Sequence, residues 1–149
     1  MPGAIRRHGD VPGLLRRAHR FRVTDRASLL SLAKDLARLT ADSLDATAIQ
    51  KRVKPPKGTK WGSLKSLENL LATQVGPDQA RAIMGPLFGV YELRLADAHL
   101  STSELDEALE RVGVDKAAPY VVQGYQLMHA CVGAIYAIIK NIDAWKGET

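Results

Sequence analysis

The sequence predicts an all-α protein, an up-and-down bundle of four to five main helices. Three observations carry this. Apolar residues recur at three- and four-residue spacing through most of the chain. No segment alternates apolar and polar residues with period two, and no hairpin turn stands between two such runs. Glycine, proline and helix-capping residues fall between the periodic segments. No solenoid-length repeat is present. With 149 residues, 46% hydrophobic and 25% charged, the chain suits one globular domain over residues 11–149, preceded by a flexible N-terminus over 1–10.

The first ten residues hold Gly, Pro and charge without periodicity. From Pro12 to Phe21, Leu14, Leu15, Ala18 and Phe21 mark a short helix whose polar face is Arg and His. Thr24 and Asp25 are cap residues for an amphipathic helix through Leu29, Leu30, Ala33, Leu36 and Ala37 to about residue 41, with a continuation towards Val53. KPPKGTK at 54–60 is a basic loop. Ser63 reads as the cap of a helix through Leu64, Leu67, Leu70 and Leu71, which GPD at 76–78 ends. Asp78 caps a run to Met84, and Gly85-Pro86 is either a kink or a new start. A helix then continues through Leu87, Val90, Tyr91 and Leu95 to Ala98. Ser101 and Glu104 have capping-box spacing and open an acidic helix that Gly113 closes. Ala118 or Pro119 starts the last helix, which runs to about Trp145.

That last helix is apolar over more than one stripe. A small bundle has one core to face, so the surplus predicts either deep burial or a second buried surface, as in a homodimer. Its longest uninterrupted apolar run, residues 130–139, is short of the roughly 18 residues of a membrane span, so a cytoplasmic protein without a membrane partner is expected. The N-terminus lacks the apolar segment of a secretory signal. The single cysteine, Cys131, excludes an intrachain disulfide and reads as a small buried hydrophobe.

Net charge is +5, unevenly spread: residues 1–60 carry 14 Lys/Arg against 5 Asp/Glu, and residues 61–149 carry 7 against 11. The basic half suits either an anionic partner such as RNA or a solvated helix face. Two clusters stand out. Arg16, Arg17 and Arg20 continue into Arg22 and Arg26; Lys51, Arg52, Lys54, Lys57 and Lys60 lead to Trp61, which either stacks on a base or packs where the loop rejoins the bundle. No His, Cys or carboxylate set has zinc spacing and no phosphate loop occurs, so neither metal nor cofactor is expected. His129, beside Met128, reads as partly buried, with His99 as a candidate neighbour in space.

One stretch carries candidate chemistry: ELRLADAHLS, residues 92–101. Arg94 and His99 form R-x4-H, with Asp97 between them. An arginine fork can hold a phosphate and a histidine can move a proton, the two groups a phosphodiester cleavage needs. On a helix, residues five apart point about 140° from each other. They can converge only at a helix end or bend, and His99 stands close to such an end. The bland alternative is an Arg94–Asp97 surface ion pair, with His99 at the helix C-terminus where a cation is favoured.

In this motif, late on an apolar helix of an all-α chain, the sequence resembles the HEPN superfamily (higher eukaryotes and prokaryotes nucleotide-binding). The resemblance implies a dimerising helical bundle and a metal-independent endoribonuclease of the toxin or antiphage-defence type. Arg94 would bind the scissile phosphate, His99 would act as general acid or base, and Asp97 would orient one of them. Leu95 follows the arginine where active members often have a polar residue, and Ser101 stands where one toxin subgroup has tyrosine. A different function also fits: a non-catalytic adaptor that binds a cognate protein partner through the apolar last helix.

Overall fold

The computed structural model describes the backbone of residues 3–6 and 8–147, and their side chains apart from those of residues 20, 97–99 and 144–147. Its helices are α1 (Val11–Arg17), α2 (Arg26–Leu39), α3 (Ala46–Gln50), α4 (Ser63–Val75), α5 (Pro77–His99), α6 (Thr102–Arg111) and α7 (Tyr120–Gly147), with short 3-10 turns at Arg20–Arg22 and Ala41–Ser43. The fold is an all-α helical bundle in which α2, α4, α5, α6 and α7 are the long members. No strand occurs among the described residues; Ile5 and Leu44 form an isolated antiparallel bridge.

Local chemistry sets most of the helix ends. The Asp25 carboxylate accepts from the Ser28 amide while the Ser28 hydroxyl accepts from the Asp25 amide, so α2 opens on a capping box. Ser101 and Glu104 do the same for α6, and Gly113 at φ 72° supplies the left-handed turn after it. Asp78, read as a cap, lies in the first turn of α5, whose cap position is Gly76, and the structure settles or corrects three further boundaries. Helix α2 does not run on to Val53. It ends at Thr40, and Asp45 caps the separate short helix α3. Ser63 is the first residue of α4, not its cap, and its hydroxyl donates to the Ala41 carbonyl at 2.8 Å. Residues 77–99 form one continuous helix with Pro86 inside it. Proline disfavours helical backbone at the preceding residue through its clash with that residue's Cβ; Gly85 has none, which eases continuity here.

Helix α5 is the hub, packing against α2, α4, α6 and α7. Ala80, Met84, Leu87, Val90 and Leu93 bury one face of it. Opposite them lie Leu29, Leu32, Ala33 and Leu36 of α2, Leu64, Leu67, Leu70 and Leu71 of α4, and Leu105, Ala108 and Leu109 of α6 in the same core. At Gly89, α6 comes so close that a Cβ would stand 2.5 Å from Val112 Cγ1.

The N-terminal stretch read as flexible is tied down over residues 4–6. The Arg6 amide donates to the Ser43 carbonyl at 2.6 Å, the Asp45 amide donates to the Ala4 carbonyl at 2.8 Å, and Ala4 is buried.

Candidate functional site

The helix that carries Arg94 ends at the histidine of the motif. After His99, Leu100 is extended, and Ser101 begins the next cap. The side chains of Asp97 and His99 lie outside the described residues, so the structure places Arg94 alone of the three. Arg94 is half-buried. Its Nη1 meets Asp42 Oδ1 at 2.5 Å, and its guanidinium lies 5.7 Å from the centre of the Tyr91 ring. This partner comes from the 3-10 turn after α2, 52 positions away in the chain, so periodicity within the motif could not reveal it. Glu92, on the same turn, pairs with Arg111 of α6. The guanidinium is therefore engaged by a carboxylate and a ring face. A phosphate there would have to displace or share Asp42.

The basic residues divide. Arg17 is held by Asp10 at 3.4 Å and by Asp35 at 3.5 Å, and Arg38 approaches the same buried Asp35 at 3.7 Å. These contacts offset part of the positive charge in a cleft of about 590 Å³ that Arg17, His19, Arg22, Lys34 and Arg38 line together with Asp25 and Asp35. Arg16 is exposed, and the Arg20 side chain lies outside the described residues. Lys51, Arg52, Lys54, Lys57 and Lys60 are all exposed on the segment between α3 and α4. Trp61 is half-buried where that segment rejoins the bundle, its carbonyl accepting from Gln50 at 3.2 Å. Cys131 is buried, and desolvation pushes its thiol up to about 11.

The most distinctive surface lies on α7. Leu127, Cys131, Ala134 and Ile138 form its inner stripe and are buried in the core. An outer stripe at alternating three- and four-residue spacing comprises Val122, Tyr125, His129, Val132, Tyr136 and Ile139. It is exposed: Val122 keeps 38% of its surface in water, Tyr125 49%, Val132 60%, Tyr136 72% and Ile139 51%. His129 is exposed, not partly buried, and stacks on Tyr125 with ring centres 5.7 Å apart. Residues 120–139 contain no Asp, Glu, Lys or Arg. The 3-10 turn at Arg20–Arg22 packs against α7 and adds Phe21, 71% exposed. Two apolar stripes on the last helix were visible in the sequence; that one of them faces water was not.

Tyr120–Asp143 is long and apolar enough, by length and composition, to cross a membrane, and 33% of its most apolar window is buried in the bundle. Uninterrupted apolar runs, the basis of the sequence reading, did not reveal this, because Gln123, Gln126 and His129 interrupt them.

The chain matches no protein-family model, no curated protein and no solved structure.

Proposed function

We propose that the chain is a helical interaction module that binds a partner helix through the outer stripe of α7. One observation carries this reading: an exposed face rich in aromatic and β-branched side chains, free of formal charge over twenty residues of sequence. Protein–protein interface cores have this composition, enriched in aromatics and depleted of charge. Exposed apolar surfaces beyond a few hundred Å² mark interaction sites in soluble proteins. Tyr125 and Tyr136, at about 200 Å² a ring, expose about 240 Å² between them, and Val122, Val132, Ile139 and Phe21 bring the total to about 500 Å².

The reading is tested by placing a photoreactive benzoylphenylalanine at Tyr136 and, as control, at the exposed Lys57. Irradiation in the cells that make the protein should give protein adducts from position 136 and not from 57. Adducts equal at both positions, or none at 136, reject the module.

A second reading, RNA cleavage of the HEPN type, draws its support from the end of α5 at His99. A helix end is the place where Arg94 and His99 can converge on one phosphate. The basic segment 51–60 would add affinity for the backbone of RNA. On this reading wild type cleaves single-stranded RNA in the presence of EDTA and His99→Ala does not. Equal cleavage by both, or by neither, rejects it.

A further inference from the structure

We infer that the partner of α7 is a second copy of this chain, paired antiparallel about a two-fold axis that passes between Ala130 and Cys131. The inference rests on the interaction-module reading above and names its occupant. The outer stripe matches its own reverse in this arrangement without setting His129 against itself. A seam with alternating three- and four-residue spacing can pair with its own reverse only if side chains of like size and character stand opposite each other. About this axis Val122 faces Ile139 of the second copy, Tyr125 faces Tyr136 of the second copy, and His129 faces Val132 of the second copy. In the outer layers aliphatic meets aliphatic and ring meets ring, and beside the axis each imidazole packs on a valine. A parallel pairing would set His129 directly against itself, so that two imidazoles share one layer.

The ends agree with the middle. One step beyond Ile139 on the seam lies Asp143, which is exposed. In the antiparallel register it falls opposite Ala118 of the second copy, just before the first residue of that copy's α7. A helix N-terminus favours a carboxylate. Gly133, exposed beside the seam with nothing within 4 Å of a Cβ position, leaves room for close approach near the axis. The exposed apolar surface of about 500 Å² per chain gives about 1,000 Å² for a pair, the lower bound of a specific interface.

The register is tested with single cysteines on the full chain. Cys131 can stay, since it is buried and its thiol is held protonated at neutral pH. In the antiparallel pair, position 132 lies near the axis and position 122 lies about 25 Å along the helix from its own copy. A short bismaleimide linker should therefore join Val132→Cys to itself. Val122→Cys alone and Ile139→Cys alone should stay single chains, and an equimolar mixture of the two should give a covalent pair. Sedimentation of the wild type should give twice the chain mass. Self-linking of Val122→Cys as efficient as that of Val132→Cys means a parallel pair and overturns the register. A single-chain mass with no linking at any position overturns self-pairing, as does flotation of the unlinked chain with phosphatidylcholine–phosphatidylglycerol vesicles, which makes lipid the occupant. The photo-adduct at Tyr136 separates the two levels: an adduct with another protein leaves the module standing and ends self-pairing, whereas no protein adduct ends both. Circular dichroism melts of each cysteine variant exclude loss of fold as the cause.

Discussion

Gly89→Ala and Gly133→Ala are the same chemical change in two helix interiors, and they should act with opposite sign. Adding a methyl to a helical glycine favours the helix by about 0.5–1 kcal/mol, because glycine loses more backbone entropy on folding. At Gly133 the new Cβ meets nothing within 4 Å in its own chain, so the gain is kept at protein concentrations too low for the chains to pair. At Gly89 it would stand 2.5 Å from Val112 Cγ1 and 3.3 Å from the Ala108 carbonyl oxygen. Val112 is buried, and Ala108 presents backbone, so neither can swing away and α6 must shift as a unit. Overpacking of this kind costs about 1–3 kcal/mol. Net of the propensity gain, Gly89→Ala should lose about 1–2 kcal/mol, which is about 3–6 °C in Tm for a chain of this size. Urea unfolding at matched protein concentration, followed by circular dichroism, reads both variants. A Gly89→Ala protein as stable as wild type would refute the close α5–α6 approach. The position of α6 beside the Arg94-bearing end of α5, including the Glu92–Arg111 pair, would then be wrong as well.

Three further predictions concern the site and its surroundings. The Arg94–Asp42 pair, with side chains 30% and 35% exposed, should give a coupling of about 0.5–1 kcal/mol in a double-mutant cycle of Arg94→Ala and Asp42→Ala measured by urea unfolding; coupling below about 0.2 kcal/mol would show that the pair does not form in solution. Tyr136→Ala removes about 140 Å² of exposed ring, an upper limit of about 3.5 kcal/mol per chain at 25 cal/mol/Å², so the Kd of self-association should rise by about 100-fold, below that limit, in sedimentation equilibrium while the Tm of the single chain stays put; an unchanged Kd contradicts the seam. Hydrogen bonds hold three carboxyls below their ordinary values: Asp25 chiefly through the Ser28 side chain, Asp45 chiefly through the Arg6 side chain, and Glu104 chiefly through the Ser101 amide. Their stabilisation is present above the ordinary values of 3.8 for the aspartates and 4.5 for Glu104 and is lost as the pH falls through the depressed ones, so the protection of the Ser28, Ala48 and Glu104 amides, relative to exchange of the unfolded chain at the same pH, should fall on acidification ahead of that of the core amides of α5, and a uniform fall would contradict this.

Much of the fold was legible in the sequence because its signals are local. Asp25 and the Ser101–Glu104 box announce their helices through bonds that span three residues. Gly113 marks a left-handed turn that side chains rarely adopt. Cys131 lies in an apolar helix and is buried there. What the sequence left open or missed shares a cause. Whether Gly85-Pro86 breaks a helix depends on packing: α2, α4, α6 and α7 surround α5, and buried Met84 and Leu87 flank the proline. Residues 4–6 look unstructured by composition because the backbone groups they bond lie on residues 43–45. Arg94 finds its carboxylate on Asp42, 52 positions away, where local spacing offered only Asp97.

By itself the sequence determined the helical class, the caps of α2 and α6, most of the breaks, the uneven charge, and the presence of two apolar stripes on the last helix. Those properties follow from the 3.6-residue period and from side chains that bond their own neighbours in the chain. The tertiary structure decided which stripe of α7 is inside. Both stripes have the spacing of a core face, and a helix in isolation does not distinguish them. The bundle supplies one set of partners, Leu127, Cys131, Ala134 and Ile138 take it, and Val122, Tyr125, Val132, Tyr136 and Ile139 are left facing water.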